Sequence, residues 1–372
     1  MTYATILLAT AQTLLWASLY YLFPATLLEW ETQFAWNRSD LTLAFTLGIA
    51  VSAIFSPLAG RLIDRGHGPL MLTVCSFIGG ALLWSMSHVT TLTGFYLLWL
   101  GIGVAMAGCL YEPCFAFLIR YRLGNAKQAI TVITLVAGFA STICFPATHY
   151  LLTHYGLPTA INAAASTVIF IAVPMVYLSC RYIQAHSDRQ PITRDAKPQH
   201  APSRYQFLNN RKFWLLATSF SLLGLTHGVV ISHLLPIFDE RAVPAATAIL
   251  IASLLGPMQV LGRIVSIFAD RRLNLITMTL CCFIGINIAL SLFLIAGDQF
   301  WLLVGFVLFQ GGSYGVISIM KPMVTRELMG DSNFGVISGS LALPYLLCSA
   351  FAPYIGSLIW QQGDYDTVLA VM

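Results

Sequence analysis

Run after run of apolar residues, each long enough to cross a bilayer, constrains this chain more than any other feature. A spanning helix needs about 20 predominantly apolar residues. Stretches of that kind cover approximately 3–28, 41–63, 69–87, 92–119, 128–153, 157–180, 213–237, 244–269, 273–297, 299–320 and 333–361. A further run begins near Thr367, so the expectation is a twelfth span cut short at Met372. Only 9% of the residues are charged, against about 25% in a soluble globular chain. Within hydrocarbon every backbone polar group needs an internal partner, which leaves helices as the spanning form for such runs. The predicted fold class is therefore an all-α polytopic membrane protein of twelve planned transmembrane helices. The opening MTYATILLATAQ has no basic segment before its apolar run, so no cleavable signal peptide is expected.

Charge orients the chain. With the N-terminus cytoplasmic, only Arg38 and Arg241 of the 19 Lys and Arg fall in outer loops. Glu29, Glu31, Asp40, Asp239, Glu240, Asp298, Asp364 and Asp366 lie on that outer side. This positive-inside asymmetry predicts a cytoplasmic N-terminus in a multi-pass protein, taken here to sit in a bacterial inner membrane. The longest loop, 181–212, is rich in basic residues, Pro, His and Gln, as flexible linkers are. It separates an N-terminal half, 1–180, from a C-terminal half, 213–372. Landmarks recur between them. Asp64-Arg65 returns 206 residues later as Asp270-Arg271, Gly103 and Pro113 return after 209 as Gly312 and Pro322, and Pro146 returns after 207 as Pro353. Parallel repeats joined by a central loop are a plan of secondary transporters.

The decapeptide GRLIDRGHGP, Gly60 to Pro69, lies between the second and third spans. It resembles the G-x-L-x-D-R-x-G loop of the major facilitator superfamily, and the resemblance extends over the whole chain. It implies two six-helix halves rocking about a midplane site, with Asp64 and Arg65, and their repeat Asp270 and Arg271, as conformational latch residues. A finer resemblance, over about half the chain, is to the monocarboxylate-transporter and oxalate/formate-antiporter branch. It rests on GIGVAMAGCLYEPCFAFLIRYRLGNAKQAITVITLVAGFAS, on SHLLPIFDERAVPAATAILIASLLGPMQVLGRI and on NFGVISGSLALP. That branch carries a lysine where FPATLL has Ala25, and an aspartate four residues before its eighth-helix arginine, where QVLGR has Gln259 and Arg263. Drug/proton antiporter branches fit less well: their fourth-helix arginine would fall near Leu97, and their fifth-helix motif is reduced to Phe145-Pro146-Ala147.

A charge at mid-bilayer costs about 2.5–3.5 kcal/mol on insertion scales, so the few charges within the apolar runs are functional candidates. Arg263 precedes Asp270 by seven residues, roughly 10 Å of helix. Its fork suits a carboxylate or phosphate; an interdomain gate and a structural arginine remain alternatives. Glu112 lies in LYEPC, eight residues before Arg120. It is read as a proton carrier or as one side of a gate, and Pro113 is expected to bend its helix. The 209-residue repeat sets Glu112-Pro113 against Lys321-Pro322, which suggests a Glu112–Lys321 bridge. The plainer reading makes Lys321 the first loop residue after its span. Polar and aromatic residues expected to line the cavity are Gln12, Trp16 and Tyr20, which share a helix face by their spacing, with His227, Gln310 and Tyr314. His233 belongs to the same class.

The remaining motifs argue against other chemistry. No HExxH or GxSxG occurs, and GGSYG at 311–315 lacks the Lys-Ser/Thr ending of a phosphate loop. The eight cysteines form no CxxC pair or zinc cluster and read as small apolar packing residues. Neither a cofactor nor a metal is expected, nor an enzyme, nor a nucleic-acid partner. The expected partners are a small-molecule substrate, protons or a counter-anion, and the lipid bilayer, around a monomer. The favoured cargo is a small organic anion. The alternative is proton-driven efflux of a drug or of a metabolite such as a siderophore.

Overall fold

A computed structural model describes residues 3–121, 125–186, 206–270 and 272–372. Helices account for nearly all of them, and no strand occurs among the described residues. Among the described residues, ten helical segments are long and apolar enough to cross a membrane. One of these, Ala126–Ala185, is 60 residues long and turns at Gly156, whose φ of 80° and ψ of 173° lie outside the helical region. Gly156 thus divides it into the fifth and sixth predicted spans, because only glycine takes that conformation without steric cost.

The helices are α1 (Tyr3–Trp16), α2 (Leu22–Phe34), α3 (Arg38–Asp64), α4 (Gly68–Met86), α5 (Leu92–Cys109), α6 (Tyr111–Tyr121), α7 (Ala126–Ala137), α8 (Ala140–Ser166), α9 (Val173–Ala185), α10 (Arg211–Glu240), α11 (Ala245–Ala269), α12 (Leu275–Ala296), α13 (Phe300–Met329), α14 (Phe334–Trp360) and α15 (Tyr365–Val371). A π-helical turn, Ala17–Tyr21, joins α1 to α2, and a second, Thr167–Ala172, joins α8 to α9. The twelfth run starts at Tyr365, where the Asp364 carboxylate caps α15 by accepting from the Thr367 backbone N–H and hydroxyl, each at 2.8 Å. The Thr367 N–H and then its hydroxyl hold the Asp364 carboxyl below its ordinary range.

By packing, the chain divides into two units: Met1–Trp214 with Met329–Leu347, and Leu215–Leu328 with Cys348–Met372. In the first, a Cβ on Gly103 would overlap the Gly48 carbonyl, so α5 and α3 cross in backbone contact. In the second, a Cβ on Gly262 would overlap the Gly312 carbonyl where α11 crosses α13. Between apolar helices in lipid there is little hydrophobic drive, and small residues supply packing instead. Each unit holds a close crossing at a glycine, but in the second it is Gly262, not the repeated Gly312, whose missing Cβ permits it.

The two repeated prolines behave differently, and Lys321 is not the loop residue of the plainer reading. The fourth span breaks at Leu110 (φ −81°, ψ −159°), ahead of Pro113, and α6 starts afresh at Tyr111. Proline lacks the N–H that would bond the carbonyl four residues back and its ring crowds that carbonyl, so the chain yields there and Pro113 sits in the first turn of α6. Pro322, by contrast, lies inside α13 without a break. The same helix carries Lys321 in its interior, not in a loop, and runs on to Met329.

Candidate functional site

The GRLIDRG loop is a helix ending. Gly66 has φ 88°, its N–H donates to the Ile63 carbonyl and that of His67 to the Leu62 carbonyl, both at 2.9 Å. This is the paired ending that glycine permits after a helix. It leaves Asp64 at the tip of α3, where both carboxylate oxygens accept from backbone N–H groups, of Gly335 and of Val336, each at 2.8 Å. These are among the donors that the N-terminus of α14 cannot satisfy internally, and the helix dipole favours an anion there. Gly60 and Gly335 allow the approach, since a Cβ on either would overlap the other's carbonyl. Arg65 is exposed beside this contact. Asp270 is exposed at the end of α11, and Arg271 lies outside the described residues.

The break in the fourth span has a partner the sequence does not announce. The carbonyl that Pro113 cannot serve belongs to Cys109, and the Gln12 side-chain amide donates to it at 2.8 Å. Gln12 is fully buried. Only its NH2 group can donate to a carbonyl, so the orientation is fixed, and its Oε1 is left without a hydrogen-bond partner among the described residues. One turn on, the Trp16 Nε1 also lacks one. The Trp16 ring lies 5.1 Å from that of Tyr20 and 4.7 Å from that of Tyr111. The π-helical turn adds a residue to the first span at this point, which turns Tyr21 toward Trp16 as well, at 6.4 Å. Such turns concentrate at functional sites.

A double-mutant cycle tests the Gln12 assignment. Gln12→Leu should destabilise the detergent-solubilised protein by about 1–3 kcal/mol, the cost of a stranded buried carbonyl. In a Pro113→Ala background, residue 113 regains the N–H that serves Cys109, and the same change should cost less than about 1 kcal/mol. Equal losses in both backgrounds would show that Gln12 does not act through this carbonyl.

Glu112 sits in the first turn of α6, where the helix dipole suits a carboxylate. It borders a cavity of about 10 Å³ with Pro113, Gly60, Gly335 and Gly339, room for roughly one water.

In the second unit, Arg263 is only 6% exposed and its Nε donates to the Gly315 carbonyl at 3.1 Å. That contact needs a glycine: a Cβ at residue 315 would overlap the backbone of Gln259, one turn before Arg263. His227 stacks on Tyr314, with centroids 3.3 Å apart at 10°. Its Nδ1 lies 3.2 Å from the Gln310 Nε2, which makes that nitrogen the acceptor. The Gln310 Oε1 is buried without a partner among the described residues, as in Gln12. His233 is committed elsewhere, with Nε2 2.9 Å from the Pro353 carbonyl and Nδ1 3.2 Å from the Tyr365 hydroxyl, so it ties α10 to α14 and α15.

The structure thus gathers Gln12, Trp16 and Tyr20 in one unit and His227, Gln310 and Tyr314 in the other, with Gln259 and Arg263 on one face of α11. Tyr111 was missed by the sequence reading. Tyr111 adjoins Glu112, the residue that drew attention, but only the break at Leu110 turns it onto Trp16.

The sequence matches the profile of the Major Facilitator Superfamily over residues 5–361. Among curated proteins it is 26% identical over 305 residues to monocarboxylate transporter 12 of Xenopus laevis, covering 75% of this chain and 65% of that protein. It is 23% identical over 369 residues to monocarboxylate transporter 12-B of Danio rerio, covering 91% and 76%. Among solved structures, the transporter FucP in its outward conformation aligns with a TM-score of 0.70 at 16% identity, covering 100% of this chain and 95% of that one. An outward-facing bacterial homologue of the iron transporter ferroportin aligns with a TM-score of 0.73 at 14% identity, covering 100% and 96%. At these identities the solved structures speak to the fold alone.

Proposed function

We propose that this chain, which belongs to the Major Facilitator Superfamily, moves a small monocarboxylate-like organic anion across the membrane by alternating access. The superfamily comprises multi-pass membrane transporters, not enzymes. The cargo, the coupling by proton or by exchange, the bacterial inner membrane, the cytoplasmic N-terminus and the monomeric state are the further content of the proposal. Arg263 is the observation that carries it: a permanently charged guanidinium, 6% exposed, within a span where charge is otherwise rare. The names of the two curated relatives favour the same class of cargo. Gln12 and Gln310, each with a buried amide oxygen to offer, supply acceptors for donor groups on the substrate, while Trp16, Tyr20, Tyr111 and the His227–Tyr314 stack supply apolar walls. Gln259 belongs to the same set.

The gating part of the proposal assigns Asp64, Arg65, Asp270 and Arg271 to a latch that opens and closes during rocking of residues 1–180 against 213–372. It pairs Glu112 with Lys321 at the inner opening, with Pro113 setting the position of Glu112.

Uptake into proteoliposomes, with a panel of labelled organic anions and hydrophobic drugs and with or without an imposed pH gradient, tests the cargo. Saturable uptake of a carboxylate supports the reading. Drug-driven proton leak with no anion transport overturns it. For the gate, Glu112→Lys and Lys321→Glu should each abolish uptake, and the double reversal should restore a substantial part of it. No rescue in the double variant removes the pair from the mechanism.

A further inference from the structure

The second unit carries an apolar groove that none of these roles uses. It has a volume of about 310 Å³, at the lower end of the range of small-ligand pockets. One wall is a single face of α11, where Leu261, Val265 and Ala269 recur at helical spacing; α12 contributes Met278 and Cys281, and α13 contributes Phe309. Leu261, Val265 and Phe309 are 45%, 55% and 42% exposed, so in a membrane this groove opens onto acyl chains. Gly312 forms part of its floor. A Cβ there would meet nothing within 4 Å, although the carbonyl of the same residue is in backbone contact with Gly262. The space is therefore a consequence of the close crossing of α11 and α13, whose glycines draw the backbones together and leave the flank unfilled. The Ser266 hydroxyl is already donated to the Arg263 carbonyl at 2.7 Å, which leaves this wall with little polar demand.

One end of the groove reaches Leu273, in the loop between α11 and α12. Arg272 adjoins it and is exposed. The same loop ends at the N-terminus of α12, whose dipole favours an anion. Asp270 is also exposed there and opposes one, but the stretch Asp270-Arg271-Arg272 carries two bases against one acid. An apolar slot open to lipid, ending at a basic membrane rim, matches one kind of molecule.

We propose that this groove binds an anionic phospholipid, with an acyl chain lying along α11 over Gly312 and the phosphate at Arg272. The site is separate from the transport residues, because Arg263 points to Gly315 and not into the groove. The inference does not depend on which anion is carried.

Native mass spectrometry of the full chain in detergent, titrated with phosphatidylglycerol or with phosphatidylethanolamine of matched acyl chains, provides the test. The wild type should favour phosphatidylglycerol about fivefold, equivalent to the about 1 kcal/mol that one basic residue contributes at an anionic surface. Arg272→Gln should keep the adducts and lose the preference. Gly312→Leu fills the open space and should lose adducts of both lipids. Should that variant fail to fold, the wild type supplies a second readout: phosphatidylglycerol should slow maleimide labelling of Cys281, an exposed groove residue, at the level of its own peptide. Wild-type adducts unchanged in a folded Gly312→Leu, no lipid preference, or unprotected Cys281 at saturating lipid would each overturn the assignment. So would retention of a non-lipid small molecule in place of phospholipid.

Discussion

Arg263→Ala should reduce anion uptake in proteoliposomes by roughly 30-fold to several thousand-fold. Truncating one partner of a buried, hydrogen-bonded charge pair costs about 2–5 kcal/mol, and each 1.4 kcal/mol is a factor of ten. Arg263 has the burial such a contact requires, at 6% exposure, and its Nε bond to the Gly315 carbonyl fixes the plane of the guanidinium. Lysine at this position retains the charge but loses the Nε–H and the two-pronged geometry, so Arg263→Lys should recover only a small fraction of uptake. A residue that merely held α11 to α13 would act differently. Its loss would lower thermal stability and maximal rate together, leaving KM for the anion unchanged. The anion-contact reading requires that KM rise in Arg263→Lys while the protein stays folded. An unchanged KM in that variant would falsify it.

Asp64→Ala should expose the first turn of α14 to exchange. The Gly335 and Val336 amides each donate to this carboxylate at 2.8 Å, and a hydrogen bond to a charged group contributes about 1.5–3 kcal/mol. Asp64 is half-buried, so the lower figure is the better guide, and it corresponds to about tenfold faster exchange at each amide. Hydrogen–deuterium exchange over residues 334–337 measures this directly. Asp64→Asn keeps one acceptor oxygen but turns an NH2 group toward the second amide, so it should lie closer to alanine than to the parent. Asp64→Glu is crowded, because the Asp64 carboxylate already lies within 2.8 Å of where a Cβ on Gly335 would be. Unchanged exchange at both amides in Asp64→Ala would remove the latch role proposed for this carboxylate.

Much of this was written locally. The spans follow from hydropathy and length, and the structure places helices over the predicted runs, with Gly156 marking the boundary inside the longest one. The landmarks that suggest a repeat are glycines, prolines and an Asp-Arg pair, residue types whose geometry is stereotyped. The prolines were legible only in part: Pro113 was expected to disturb its helix, and the fourth span breaks just ahead of it. Pro113 and Pro322 occupy equivalent positions in the repeat, yet one helix breaks and the other does not. Proline withdraws a donor in both cases, and at Pro113 the freed Cys109 carbonyl takes the Gln12 amide instead.

Composition and hydropathy were enough for the membrane-spanning helical class and for the short list of charges that hydrocarbon makes costly. Those properties reside in periods of a few residues and in transfer free energies that need no neighbour. The partners came from folding in three dimensions. Gln12 meets the Cys109 carbonyl 97 residues away, and Asp64 meets amides 271 and 272 residues on. The extra residue of a π-helical turn and a break at Leu110 bring Tyr21 and Tyr111 onto Trp16. A buried polar group takes whichever donor or acceptor the adjacent helix presents, and which helix lies alongside is settled by glycine contacts between segments far apart in the chain.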